Sequence, residues 1–119
     1  MSVPEHALHY LEIVTPDVDA ARKLYSEAYG WRFEPAAPEL GNAVVATIPG
    51  GSLCGIRAPM HEQEKPIVRT YLRVTDVKAA VRSAAKLGAE IALDFMEIPG
   101  RGRIAIYRHG GIEQGLWQV

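Results

Sequence analysis

Seven residues in this chain are of types that can hold and transform a small organic molecule, if strands bring them to one face: Tyr10, Glu12, Arg57, Arg69, Tyr71, Arg73 and Trp117. A carboxylate against apolar walls can act as a general base, its proton affinity raised by burial and lowered by a neighbouring arginine. Glu12 is the candidate for that role. Tyr71 is the candidate to orient or protonate an oxygen, so Glu12 and Tyr71 form the catalytic pair. Tyr10, Arg57, Arg69, Arg73 and Trp117 complete the ligand-binding set, because aromatic walls with a few polar groups suit a planar or amphipathic body.

Strand alternation gathers these residues. If Leu11 and Ile13 face a helix, Tyr10 and Glu12 face the other way. The same logic sets Arg69, Tyr71 and Arg73 together, with Leu53, Gly55 and Arg57 on one partner strand and Glu113, Gly115 and Trp117 on another. Plainer readings of the same residues stand beside the functional ones. Glu12 with Arg69 or Arg73 can be a self-neutralising cross-strand ion pair, and Tyr10, Tyr71 and Trp117 can simply fill the interior. Arg101 and Arg103 flank Gly102 in a turn that either greets an anion or is a solvated hairpin tip. Cys54 alternates with the inward set and reads as a small packing residue, not a nucleophile.

The elements that position these groups come in two copies. Tyr10–Asp17 reads as a half-buried strand stopping at a proline before a helix, and Arg69–Asp76 repeats it 59 residues later, from 17 to 76. The first strand is expected from about Ala7 to Val14. A helix capped by Asp17 follows, with an apolar stripe of Ala21, Leu24, Tyr25 and Ala28, closed by Gly30. Short strands are expected at Trp31–Glu34, Ala43–Ile48 and Ser52–Arg57. In the second copy a strand runs from Ile67 to Val74. Asp76 caps a helix with the stripe Val77, Ala80, Val81, Ala84, closed by Gly88. Strands Ile91–Ile98, Arg103–Tyr107 and Ile112–Gln118 finish the chain. The order βαβββ–βαβββ predicts an α+β fold: two tandem βαβββ modules forming a curved eight-stranded mixed sheet around a central cavity. Residues 1–119 make one domain, with module 1–58, module 67–119 and a polar, proline-bounded linker 59–66.

Bulk composition narrows the function classes. The 119 residues are 48% hydrophobic and 23% charged, as in an ordinary globular domain. A formal charge of −1 argues against a nucleic-acid or polybasic membrane surface. A single cysteine rules out an internal disulfide and favours a reducing, cytoplasmic compartment. The N-terminus has no secretory pattern, and no apolar run approaches the length of a membrane span.

The motifs Asp17…Tyr25…Gly30-Trp31 and Val74-Thr75-Asp76…Leu87-Gly88 resemble the vicinal oxygen chelate superfamily, the glyoxalase I, bleomycin-resistance and extradiol-dioxygenase group. The run Glu97-Ile98-Pro99-Gly100-Arg101-Gly102-Arg103…His109-Gly110-Gly111…Gly115-Leu116-Trp117-Gln118 is similar to its glyoxalase-like branch. The resemblance implies ligands for a divalent ion on the first and last strand of each copy. Counting back seven residues from each capping aspartate lands on Tyr10 and Arg69, and the last strands offer Gly55 and Gly115. None is an ordinary divalent-metal ligand, and an arginine would repel a cation, so no metal and no cofactor is expected. Glycine at a ligand position leaves room for something bulky. His6, His61 and His109 read as surface residues. His9 sits one residue off the ligand position, and only a bulge would turn it inward toward Glu12 and Glu113.

The expectation is a cytoplasmic, metal-free glyoxalase/bleomycin-resistance-like protein binding a small organic molecule in its cavity. The alternative is an enzyme of lyase, isomerase or dioxygenase type, either metal-independent with Glu12 as base or metal-dependent with another ligand set. A homodimer is implied by the resemblance, with Trp31, Phe33 and Met60 as candidate contacts. No nucleic-acid or membrane partner is expected.

Overall fold

The computed structural model describes residues 4–119. It is an α+β chain whose contacts divide it into two compact units. One holds Tyr10–Val68, and the other joins the N-terminal residues up to His9 with Arg69–Val119.

The first of these units holds β1 (Leu8–Val14) from Tyr10 on, which leads into α1 (Val18–Tyr29), a single 3-10 turn (Pro38–Leu40), β2 (Val44–Thr47) and β3 (Leu53–Arg57). β1 pairs with β3 in parallel, and β2 runs antiparallel to β3. Leu11 and Ile13 of β1 join Cys54 and Ile56 of β3 against Val18, Ala21 and Tyr25 of α1. The helical face is therefore rotated from the expected stripe, and Leu24 is 59% exposed. Gly30 closes α1 in the left-handed region at φ 74°, as expected. Asp17 stands at the N-cap, but its carboxylate caps no amide, and its own N–H donates to Thr15 Oγ1 at 3.2 Å.

The other unit runs β4 (Ile67–Arg73) from Arg69 on, then α2 (Val77–Lys86), β5 (Glu90–Ile98), β6 (Gly102–His109) and β7 (Ile112–Gln118). β4 and β7 are parallel, while β7–β6 and β6–β5 are antiparallel. Here Asp76 does cap its helix, accepting from the Ala79 N–H at 3.1 Å. Val77 and Val81 are fully buried against Val74, Ala105 and Leu116.

Among the described residues there are seven strands, not the eight expected. The stretch Trp31–Glu34 reduces to one bridge, Phe33 to Ala46, and one further backbone bond, Glu34 N–H to the Val45 carbonyl at 2.8 Å. Pro35 follows at once and has no N–H to extend the ladder. The matching segment of the second copy, β5, carries no proline inside it and runs nine residues, with two register shifts along β6.

Candidate functional site

Strand alternation sorts the chemistry-bearing residues away from the helices in both units. In the Tyr10–Val68 unit, Glu12 is in register with Gly55, and Val14 with Arg57. In the other, Tyr71 is in register with Gly115, and Arg73 with Trp117. Glu12 and Tyr71 thus hold equivalent places in the two copies, each beside a glycine. The room that each glycine provides is taken by the chain itself. A Cβ on Gly55 would fall on the Tyr10 hydroxyl, and one on Gly115 would fall on the Tyr71 ring.

Glu12 and Arg57 are both buried, at 9% and 6% exposure. Arg57 Nε donates to Glu12 Oε2 at 2.9 Å, and its two terminal nitrogens donate to Glu64 at 2.9 and 2.7 Å. Arg57 also reaches the Ala58 carbonyl at 3.1 Å. The paired hydrogen bonds from Arg57 hold the Glu64 carboxyl far below its ordinary range, at about 2. The guanidinium, held by Glu64 and Glu12, is pushed further up despite its burial. Glu64 lies in the segment between β3 and β4 and was not singled out in the sequence. An acid in a polar, proline-bounded stretch carries no periodic signal.

In the second unit Arg69 donates to Glu113 Oε1 from Nε at 3.1 Å and from a terminal nitrogen at 2.5 Å. Glu113 Oε2 accepts from Arg108 Nε at 2.9 Å. Partial burial alone would raise the Glu113 carboxyl, but the bonds from Arg69 and Arg108 outweigh it and hold it low. Trp117 is the hub of an aromatic group. Its ring meets Tyr71 in a T-shaped contact at 5.4 Å and His9 edge-on at 5.0 Å. Its indole N–H donates to the Arg101 carbonyl at 2.8 Å, which ties the β5–β6 turn down onto the ring.

His9 is the residue that the sequence undervalued. Strict alternation would set it opposite Tyr10, yet it shares the face of Tyr71 and Trp117. Just before it, His6 and Ala7 together oppose Arg73: Arg73 N–H donates to the Ala7 carbonyl and His6 N–H to the Arg73 carbonyl, both at 2.7 Å. His6 adopts φ 68°, so the chain enters β1 through a left-handed residue. His9 is half-buried. Burial first, then the charges of Arg73 and Arg101, lower its proton affinity, so the ring is neutral near neutral pH.

Tyr10, Tyr71 and Trp117 are 3%, 4% and 2% exposed, so their rings form floor and packing more than open wall. His9 and Arg73 are the half-buried members of the group. Two clefts, of about 360 and 500 Å³, open on the α2 face around Ala84 and Tyr107, and neither is lined by any residue of the predicted site.

The four positions at which the resemblance would place metal ligands hold Tyr10, Gly55, Arg69 and Gly115. They offer no imidazole or carboxylate, and one is a cation paired to Glu113, so this set does not fit a divalent ion. Among the described residues, no three His, Cys, Asp or Glu side chains gather as a metal-holding group.

No family model matches the chain. A glyoxylase-like domain-containing protein of Didymella fabae is 30% identical over 95 residues, covering 74% of this chain and 73% of the relative. A Mycobacterium tuberculosis protein, provisionally named glyoxylase CFP32, is 32% identical over 118 residues, 93% of this chain and 45% of its own length. The chain thus spans about half the length of that relative. Among solved structures, methylmalonyl-CoA epimerase of Mycobacterium tuberculosis superposes with a TM-score of 0.76 at 19% identity, over 99% of this chain and 92% of the other. The hypothetical protein BH1468 of Bacillus halodurans gives a TM-score of 0.79 at 11% identity, over 98% and 96%. At these identities the structural likeness speaks for the fold alone.

Proposed function

The chain belongs to the glyoxylase-like group of the vicinal oxygen chelate superfamily, and from that premise we propose that it binds a small organic anion with a planar or amphipathic body, without a resident metal ion. The observation that carries this reading is the contact of His9 with the buried Trp117 ring, with Arg73 in register beside Trp117, the Arg101 carbonyl accepting from its indole N–H, and the charges of both arginines acting on His9. A neutral imidazole there offers one donor and one acceptor, and the two arginines supply positive charge beside an apolar floor. Tyr71 fixes the Trp117 ring from beside it, and Arg69 is braced by Glu113. Tyr10, Glu12 and Arg57 are assigned to recognition in their own unit.

A second reading is an enzyme of lyase or isomerase type. The equivalent placement of Glu12 and Tyr71 beside Gly55 and Gly115 favours it. In that reading Glu12 takes a proton and Tyr71 gives one. The mutant Glu12→Gln separates the two: lost turnover with retained affinity means chemistry, and no turnover by the wild type means a binder.

The homodimer and the cytoplasmic location are also proposals. Tyr29 on α1 and Met96 on β5 are exposed apolar groups that a second copy would cover. Trp31 and Phe33, which the sequence suggested for that role, instead pack into the α1 cluster of their own unit, while Met60 is exposed. The cytoplasmic assignment rests on the unpaired, buried Cys54 thiol. No described helix is long and apolar enough to cross a membrane.

The test is a titration of Trp117 fluorescence, in a Trp31→Phe background, with a panel of small organic acids. Saturable quenching that weakens about tenfold or more in Arg73→Ala supports the reading. No saturable ligand in the panel, or stoichiometric metal in the purified protein, overturns it.

A further inference from the structure

Arg57 is a buried guanidinium holding two carboxylates from two different kinds of element. Glu12 comes from the middle of β1 and meets Nε. Glu64 comes from the segment joining β3 to β4 and takes both terminal nitrogens, at 2.9 and 2.7 Å. That two-pronged geometry is how an arginine recognises any free carboxylate.

The element carrying Glu64 is attached lightly. Its neighbours His61, Glu62, Gln63, Lys65 and Pro66 are exposed. The same carboxylate also accepts from the Met60 N–H at 2.7 Å, and a local turn joins Glu64 N–H to the His61 carbonyl at 3.1 Å. One side chain therefore secures the segment to the arginine and holds the Met60 amide near its start. The arginine does not depend on Glu64 for its place. Its stem lies along β3 beside Gly41, where a Cβ would press on Arg57 and Met60, and Nε stays on Glu12.

We propose that Arg57 is a carboxylate-binding site, and that Glu64 is a resident carboxylate which a ligand of this class displaces. The exchange replaces one anion by another on the same two nitrogens, so the local charge is unchanged, and the segment from Pro59 to Pro66 is released. The inference rests on the reading of the chain as a binder of small organic anions, and it names the functional group recognised in this unit and the internal competitor that group must outbid. Removing Glu64 must therefore tighten binding, whereas a merely structural clamp would not.

The experiment uses acetate and benzoate as probes, with chloride at matched ionic strength as control, on the ¹⁵N-labelled full chain. Two resonances are followed: the Met60 amide, which reports Glu64, and the Arg57 Nε–H, which reports the guanidinium. In the wild type, added carboxylate is expected to free the Met60 amide, with loss of its exchange protection, while the Arg57 Nε–H stays bonded. In Glu64→Ala, and in Glu64→Gln should the first fold poorly, the affinity for both probes is expected to rise about tenfold or more. Binding that perturbs Trp117 but leaves Met60 and Arg57 unmoved, with equal affinity in Glu64→Ala, overturns this inference and leaves the broader reading standing. A Glu64→Ala protein that takes up neither carboxylate overturns it as well.

Discussion

The hydroxyl of Tyr10 occupies the space that a Cβ on Gly55 would need, and the Tyr71 ring does the same at Gly115. The two contacts are not equal. At Gly55 the intruding atoms are the far end of a side chain, which can swing. At Gly115 they are ring atoms close to the β4 backbone, which can only move with the strand. Gly55→Ala is therefore expected to cost about 1–3 kcal/mol, the usual toll of overpacking, and Gly115→Ala more. Chemical denaturation of the two variants checks the order, and equal or negligible losses would contradict the packing described.

Arg57 predicts a second asymmetry. Arg57→Met strands two carboxylates, one of them the buried Glu12, and is expected to destabilise by about 3–5 kcal/mol. Glu64→Gln keeps one acceptor oxygen for Arg57 and leaves Arg57 on Glu12, so its cost at neutral pH is smaller. That cost must depend on pH. The folded Glu64 carboxyl sits at about 2 against an ordinary 4.5, so the unfolded chain binds the proton more tightly. The stabilisation is complete above about 4.5 and is lost as the pH falls toward 2. Unfolding of wild type and Glu64→Gln from pH 7 to 2 should converge at the acid end; a constant gap would refute the assignment.

Much of the architecture was legible because it depends on period and punctuation. The paired stretches at Tyr10–Asp17 and Arg69–Asp76, each a strand ending in an aspartate before a helix, marked the two copies. Alternation along β1, β4 and β7 sorted Leu11, Leu72 and Leu116 to the helices and Glu12, Tyr71 and Trp117 to the other face. What was not legible is set by the placement of irregular segments. Arg57 finds Glu64 because a loop folds back onto β3, and no spacing encodes that. His9 meets Trp117 just after an irregular turn at His6 and Ala7, which no period marks. Leu24 fits the helical period as well as Val18, but only the sheet decides which of them is covered.

Cys54 offers a direct check on the α1 side of β3. It is fully buried among Ile13, Ile56 and the helix, and burial pushes its thiol up to about 11. A thiol of that kind is a poor nucleophile at pH 8. A disulfide reagent is expected to leave the native protein unlabelled and to titrate one thiol per chain in denaturant. Fast labelling of the native state would mean that the α1 cluster opens readily.

His9 supplies the sharpest test of the Trp117 group. Its ring is shifted toward the neutral form by burial, and further by Arg73 and Arg101. Protonating it in the folded state is thus harder than in the unfolded chain, whose ordinary value is 6.5. Stability should fall as the pH drops below 6.5 through the folded value, because the unfolded state gains the proton first. Replacing His9 by Phe keeps a ring against Trp117 and should flatten that part of the profile. Arg101→Ala removes one of the charges, and the His9 resonance should then titrate at higher pH while the Tyr71–Trp117 contact persists. An imidazole that titrates at the ordinary value in the wild type would place His9 in open solvent, and the proposed anion site would lose its neutral member.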